Sequence, residues 1–201
     1  MSTYDDLLAE LGGQVDVLAR RSAALIFLAC GEALLPELRA WASRRDEDPD
    51  PLLAAAAAGA ESYALRGLVP AAGMRLLSRL EAATPPGDQP DATTAATAQD
   101  CWICFDVAVR IAVDRAYHPG TAVEYSLEPV VSAATVRHHG VTQVGSGPDE
   151  AAQLAVVLAD NQVAAAIGFW RWALELLDDR DAPTADDAIA VRQRAFVLQP
   201  N

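Results

Sequence analysis

Apolar residues recur along this chain mainly at intervals of three and four, the spacing that gathers side chains on one face of an α-helix. Ser2 or Thr3, followed by Asp5 and Asp6, starts a short helix through Leu11, because a hydroxyl satisfies an orphan N–H and the carboxylates favour the positive helix end. Gly12 and Gly13 are expected to stop it. A second pattern runs from Val15 to Leu35 with Leu18, Leu25, Leu28 and Cys30, interrupted by Arg20 and Arg21. Pro36 lacks an N–H and is expected to kink that helix or restart it as Glu37 to Arg44. Beyond the acidic loop Asp46, Glu47, Asp48, the pair Asp50-Pro51 opens a helix that crosses an alanine block and stops at Gly67. Pro70 to Ala83 predicts another.

Thr84 to Ala92, with three prolines and a glycine, reads as an internal loop. Thr94 to His118 then supports a long central helix, in which Cys101, Phe105, Ala108, Ala112 and Ala116 form one stripe, widened by Trp102, Val109 and Val113. Asp106, Arg110 and Asp114 repeat every four residues on its far side, an ion-pair ladder on a solvated face. Thr121 is expected to cap the next helix, which reaches about His138 with a kink at Pro129, and Gly140 to Gly147 is a second loop. Asp149 to Leu177 reads as one long helix carrying Leu154, Val157, Leu158, Ile167, Trp170, Leu174 and Leu177. Thr184 and Asp187 form a capping-box pattern ahead of a last helix through Phe196. These segments predict an all-α bundle of about seven or eight helices. Residues 1–201 form one domain in this reading, long enough to bury roughly 70% of the unfolded surface without disulfides or metal.

Composition narrows the function more than it names it. The net charge is −13, which disfavours nucleic acid and anionic membranes as partners and suits a basic one. All fifteen cations are arginines, so the lysine-dependent chemistries (a Walker-type phosphate loop, a kinase lysine, a Schiff base) are excluded. Three cysteines do not make a secreted disulfide framework, no signal-peptide pattern opens the chain, and the apolar windows fall short of the ~18 residues of a membrane span. A cytoplasmic location is the default expectation.

Few residues carry a chemical pattern. Cys101-Trp102-Ile103-Cys104 spaces two thiols as zinc sites and redox pairs do, but inside a helix and without further ligands at a finger spacing, which favours buried structural cysteines. Asp114 and His118, four apart, fit either an acid–base pair or a helix terminus; His138-His139 before Gly140 fits a C-terminal cap. Ser146, the only glycine-flanked serine, has no basic partner in view. Asp160-Asn161-Gln162 interrupts an apolar pattern and either faces water or bonds another helix.

Trp170, Arg171, Trp172 and Trp41 are candidate interface anchors or core residues. Around them Glu175, Asp178, Asp179, Asp181, Asp186 and Asp187 make the densest acidic stretch, opposed only by Arg180. Trp170, Trp172, Asp178, Asp179 and Asp181 are therefore the candidate partner-binding set, while no catalytic, cofactor or metal residue is assigned.

The order of segments resembles an uncharacterised bacterial helical family, domain-of-unknown-function family 416. The residues that carry the resemblance are Leu25-Ile26-Phe27-Leu28-Ala29-Cys30 with Glu32 and Pro36, Leu80-Glu81-Ala82-Ala83 entering the proline loop, and Val123-Glu124-Tyr125. It implies an all-helical architecture and assigns no active residue. The reading that follows is a non-catalytic acidic binding protein, of the immunity or antitoxin type, that occludes a basic protein. Two others stand beside it: an enzyme or small-molecule binder with a pocket near Trp102, Tyr117 and His118, and a homo-oligomer paired through an apolar stripe.

Overall fold

Helix α1 (Tyr4–Val17) begins at a full capping box: the Thr3 hydroxyl accepts from the Asp6 N–H at 3.1 Å while the Asp6 carboxylate accepts from the Thr3 N–H at 2.8 Å. The computed structural model describes residues 3–85, 92–141 and 149–200, residues 92 and 93 by backbone alone. Over these the chain forms α2 (Arg20–Ser43), α3 (Asp50–Arg66), α4 (Gly73–Ala83), α5 (Ala92–Val113), α6 (Val123–His139), α7 (Glu150–Leu158), α8 (Asn161–Leu177) and α9 (Ala185–Ala195). Two short 3-10 turns, Pro119–Ala122 and Phe196–Leu198, complete the order, and no strand occurs among the described residues. The fold is all-α, with nine α-helices among the described residues where the periodicity suggested about seven or eight.

Helices α2 and α5 form the axis of the bundle. Both are rich in buried small residues, including Ala23, Ala24, Ala29, Gly31, Ala98 and Ala108, and Gly31 meets both Phe105 and Cys101 across the pair. Approach is so close at one point that a Cβ on Gly31 would sit 2.9 Å from the Phe105 ring. The buried residues of all nine helices join this axis in one core.

The two arginines that break the apolar pattern serve the ends of other helices. Arg20 donates to the carbonyls of Ile111, Asp114 and Arg115 and, at 3.0 Å, of Tyr117, so it closes the C-terminal end of α5. Arg21 donates to the Ala64 carbonyl at 2.8 Å near the end of α3, whose Gly67 takes the left-handed conformation expected of a stop.

Several boundaries differ from the sequence expectation. Gly12 and Gly13 do not stop α1; Gly12 is buried in its middle, where a Cβ would lie 2.7 Å from the Gly120 carbonyl oxygen. Pro36 does not restart α2, which runs on to Ser43. The long helix ends at Val113 rather than His118, because Arg20 and the Asp114 carboxylate, which accepts from the Ala116 N–H, take over its last groups. Ala116 is consequently exposed, outside the stripe. Thr121 lies inside a 3-10 turn and makes no cap for α6, whose N-cap position is Ala122.

The single helix expected over Asp149 to Leu177 is two, bent by 70°. Asp160 supplies the break, its side chain accepting from the Gln162 N–H at 2.8 Å as the N-cap of α8. Ser2, most of the loop from Thr84 to Ala92, and most of the Gly140 to Gly147 loop with Ser146 lie outside the described residues. Among the described residues no single helix is long and apolar enough to cross a membrane.

Two glycines inside helices test this packing in opposite directions. Gly31→Ala is expected to lower the unfolding free energy by about 1–3 kcal/mol through overpacking against Phe105. Gly168→Ala, with nothing within 4 Å of its new Cβ, is expected to raise it by about 0.5–1 kcal/mol. Urea unfolding of both variants reads the signs directly.

Candidate functional site

Carboxylates that are partly buried in this protein are generally met by arginine. Glu32 and Glu61 share Arg192, which ties α9 to α2 and α3 at 2.7 and 2.9 Å. Asp106 and Glu81 share Arg110, and Asp187 holds Arg180 at 2.9 Å. Asp160 accepts from Arg137 and His138, both at 3.0 Å. Burial works against its charge, but these bonds and the Gln162 N–H outweigh it and hold the carboxyl at about 2.

One group breaks this pattern. Asp100 on α5 faces Glu124 and Glu128 on α6 and Tyr4 on α1, and it is 7% exposed. It has no hydrogen bond or ion pair among the described residues. Burial, then the charges of Glu128 and Glu124, push its carboxyl up to about 8. Glu128 is also raised, first by burial and then by Glu124, although the Ser132 hydroxyl donates to it at 2.8 Å. The Tyr4 hydroxyl is closed off from solvent with no partner among the described residues, and burial, then the charges of Glu128, Glu124, Asp100 and Asp5, raise its pKa.

This group adjoins a surface crevice of about 480 Å³ between α1 and the start of α6, lined by Leu8, Gly12, Asp16, Gly120 and Glu124 among others. The crevice exists because two glycines let the backbones meet. A Cβ on Gly120 would come 2.4 Å from the Gly12 carbonyl oxygen, and the Gly120 N–H donates to Asp16 at 2.8 Å. A second, smaller cleft of about 340 Å³ lies on the other side of α1, where Val17, Leu18, Arg171, Glu175 and Asp178 line it. Both sides of α1 therefore carry carboxylates beside apolar surface.

The residues singled out in the sequence distribute as follows. Asp178, Asp179 and Asp181 are exposed just beyond α8, where Asp178 occupies the C-cap position. Asp187 does not belong to that face: it is buried, closing the capping box of α9 with Thr184 and pairing with Arg180. Trp170 is fully buried, edge-on to Phe27 and donating its indole N–H to the Ser126 hydroxyl at 2.8 Å, so it takes the core role rather than that of a surface anchor. Trp172 is partly buried beneath the Arg194 guanidinium, 4.6 Å from its ring centre.

Cys30, Cys101 and Cys104 are buried free thiols whose pKa values burial raises, and the Cys101 thiol donates to the Gly31 carbonyl. Asp114 and His118 do not share a helix face, since α5 has already ended. His138 and His139 do close α6 before a left-handed Gly140. Among the described residues no three His, Cys, Asp or Glu side chains are placed to hold a metal ion. Asp160 and Gln162 bond across elements, to Arg137 and His138 and to the Gln199 carbonyl, so that polar triplet is a junction rather than a solvated patch.

No family model matches the sequence, and no curated protein matches it either. Among solved structures, the crystal structure of a DUF416 family protein from Shewanella baltica is similar, with a TM-score of 0.69 and 16% identity over 92% of each chain. Likeness at that identity is a likeness of fold, and the fold is the one that the resemblance of helix order implied.

The Asp100 group makes a pH-dependent contribution with a definite sign. The folded carboxyl titrates near 8 and the unfolded one near 3.8, so the folded state holds the extra proton between them. Stability from this site is full below the unfolded value and is lost as pH rises through the folded one. Asp100→Asn is expected to raise stability by about 1–3 kcal/mol at pH 8 and by much less at pH 5. Thermal melts across that range check it, and equal effects at both pH values count against the assigned burial.

Proposed function

We propose that this protein is a non-catalytic binding protein that receives a basic protein partner along α1, in the manner of an immunity or antitoxin protein. The observation that supports this most is the Asp100, Glu124 and Glu128 group, which has no arginine partner among the described residues and whose Glu124 lines the crevice, in a chain that elsewhere pairs its buried carboxylates with arginine. A cationic side chain from outside supplies the missing charge. It lowers the Asp100 pKa as it binds, so complex formation at neutral pH releases a proton and strengthens between pH 6 and pH 8. Glu175, Asp178, Asp179 and Asp181 add a negative field on the far side of α1, which speeds encounter more than it holds the complex. Val17, 82% exposed in the lining of the second cleft, offers an apolar contact beside those carboxylates.

Capture from the native host at low and high salt tests this reading. A basic protein is expected to be retained at 50 mM salt and largely lost at 0.5 M, since exposed charge attraction is screened over a few ångströms there. Glu124→Arg with Glu128→Gln is expected to cost about 2–3 kcal/mol of affinity, and reversal of Asp178, Asp179 and Asp181 about 1 kcal/mol, mainly through association rate. Retention that ignores both salt and the α6 substitutions sinks the proposal.

A further inference from the structure

A further cleft, of about 480 Å³, lies where the end of α2 meets the start of α3, the end of α4 and the middle of α5. Its walls are largely apolar, built from Leu38, Trp41, Pro51, Leu52, Ala83 and Trp102. The volume lies within the roughly 300–1,000 Å³ of small-molecule sites. Nothing in the charged crevice beside α1 bears on it.

One wall residue is chemically incomplete. Trp41 is 4% exposed, and its indole N–H is closed off from solvent with no acceptor among the described residues. Buried indoles elsewhere in the chain are satisfied, Trp102 by the Leu80 carbonyl and Trp170 by the Ser126 hydroxyl, each at 2.8 Å. The Arg45 guanidinium stacks 4.3 Å from the Trp41 ring centre and steadies the ring. A shielded donor without an acceptor is a standing penalty of the folded state, removed by any oxygen that reaches it.

The rim selects among such oxygens. Arg79 and the Arg45 stacked on Trp41 stand there against Glu47 and Asp48, so the edge has no net charge to hold an ion of either sign. We propose that this cleft binds a small uncharged molecule with an apolar body and a carbonyl-type oxygen, which accepts from the Trp41 N–H as the indole edge, shielded in the empty cleft, turns toward it, while the body lies against Trp102, Leu38 and Leu52.

Benzylacetone, an aromatic body with one ketone, serves as the probe, and butylbenzene matches its shape without the oxygen. In a proton–nitrogen correlation spectrum the Trp41 indole signal, identified by its loss in Trp41→Phe, is expected to move downfield on titration with benzylacetone. The ketone is expected to bind roughly fivefold more tightly than the hydrocarbon, the ratio one neutral hydrogen bond supplies, and the preference disappears in Trp41→Phe. Ala83 is exposed at the rim, so Ala83→Trp fills the cleft without entering the core and is expected to abolish binding of both probes with the melting temperature unchanged. An unmoved Trp41 signal at saturating benzylacetone, equal affinities in the parent protein, or a preference that survives in Trp41→Phe overturns the proposal.

Discussion

The close pairing of α2 with α5 is the constraint from which the remaining geometry follows. Gly31 meets the Phe105 ring without room for a methyl group, so the two helix axes are fixed by contact and not by an adjustable layer of large side chains. With the axes set, Arg20 at the start of α2 reaches the carbonyls that end α5. That termination starts the 3-10 turn at Pro119, which brings Gly120 against Gly12 and so seats α1. The charged crevice is thus a downstream result of helix packing, several steps removed from the residues that line it.

Much of this architecture could be read from local patterns. The hydroxyl cap at Ser2 or Thr3, the capping box at Thr184, the Asp50-Pro51 start, and the stops at Gly67 and Gly140 are set by neighbours within a few residues, and the structure has them, with Thr3 as the first cap. At Gly12 and at the end of α5 a tertiary contact overrode the local signal. Gly12 reads as a breaker because of its flexibility, whereas its role is to leave space for another backbone. Ala116 continues an apolar stripe, but an arginine nearly a hundred residues away ends the helix before it.

The site was less legible for the same reason. Acidic density in sequence pointed to Asp178 through Asp187, yet solvated neighbours on a chain end carry little strain, and Asp187 spends its charge within its own helix start. Asp100, Glu124 and Glu128 are separated in sequence and gain meaning only when α1, α5 and α6 converge. The signal available was indirect: Asp100 sits one position before an apolar stripe that buries it. Trp41 offers a parallel case, since a tryptophan reads alike in sequence whether its N–H is satisfied, as in Trp102, or left without an acceptor.

The arginines explain why a net charge of −13 translates into particular places and not a uniform film. Arg20 and Arg21 are committed to helix ends, while Arg110, Arg180 and Arg192 are committed to internal carboxylates. The planar fork of five donors suits arginine to both tasks, whereas the compact ammonium of a lysine offers no fork matched to a carboxylate or to several spread carbonyls. Cations used this way stabilise the bundle but are not available to neutralise its surface or the α1 crevice. Among the described residues, the folded protein therefore leaves two features of opposite character without a partner, a carboxylate cluster with no arginine and an indole with no acceptor. The crevice that Glu124 lines and the cleft that Trp41 lines share no residue, so the two are structurally independent.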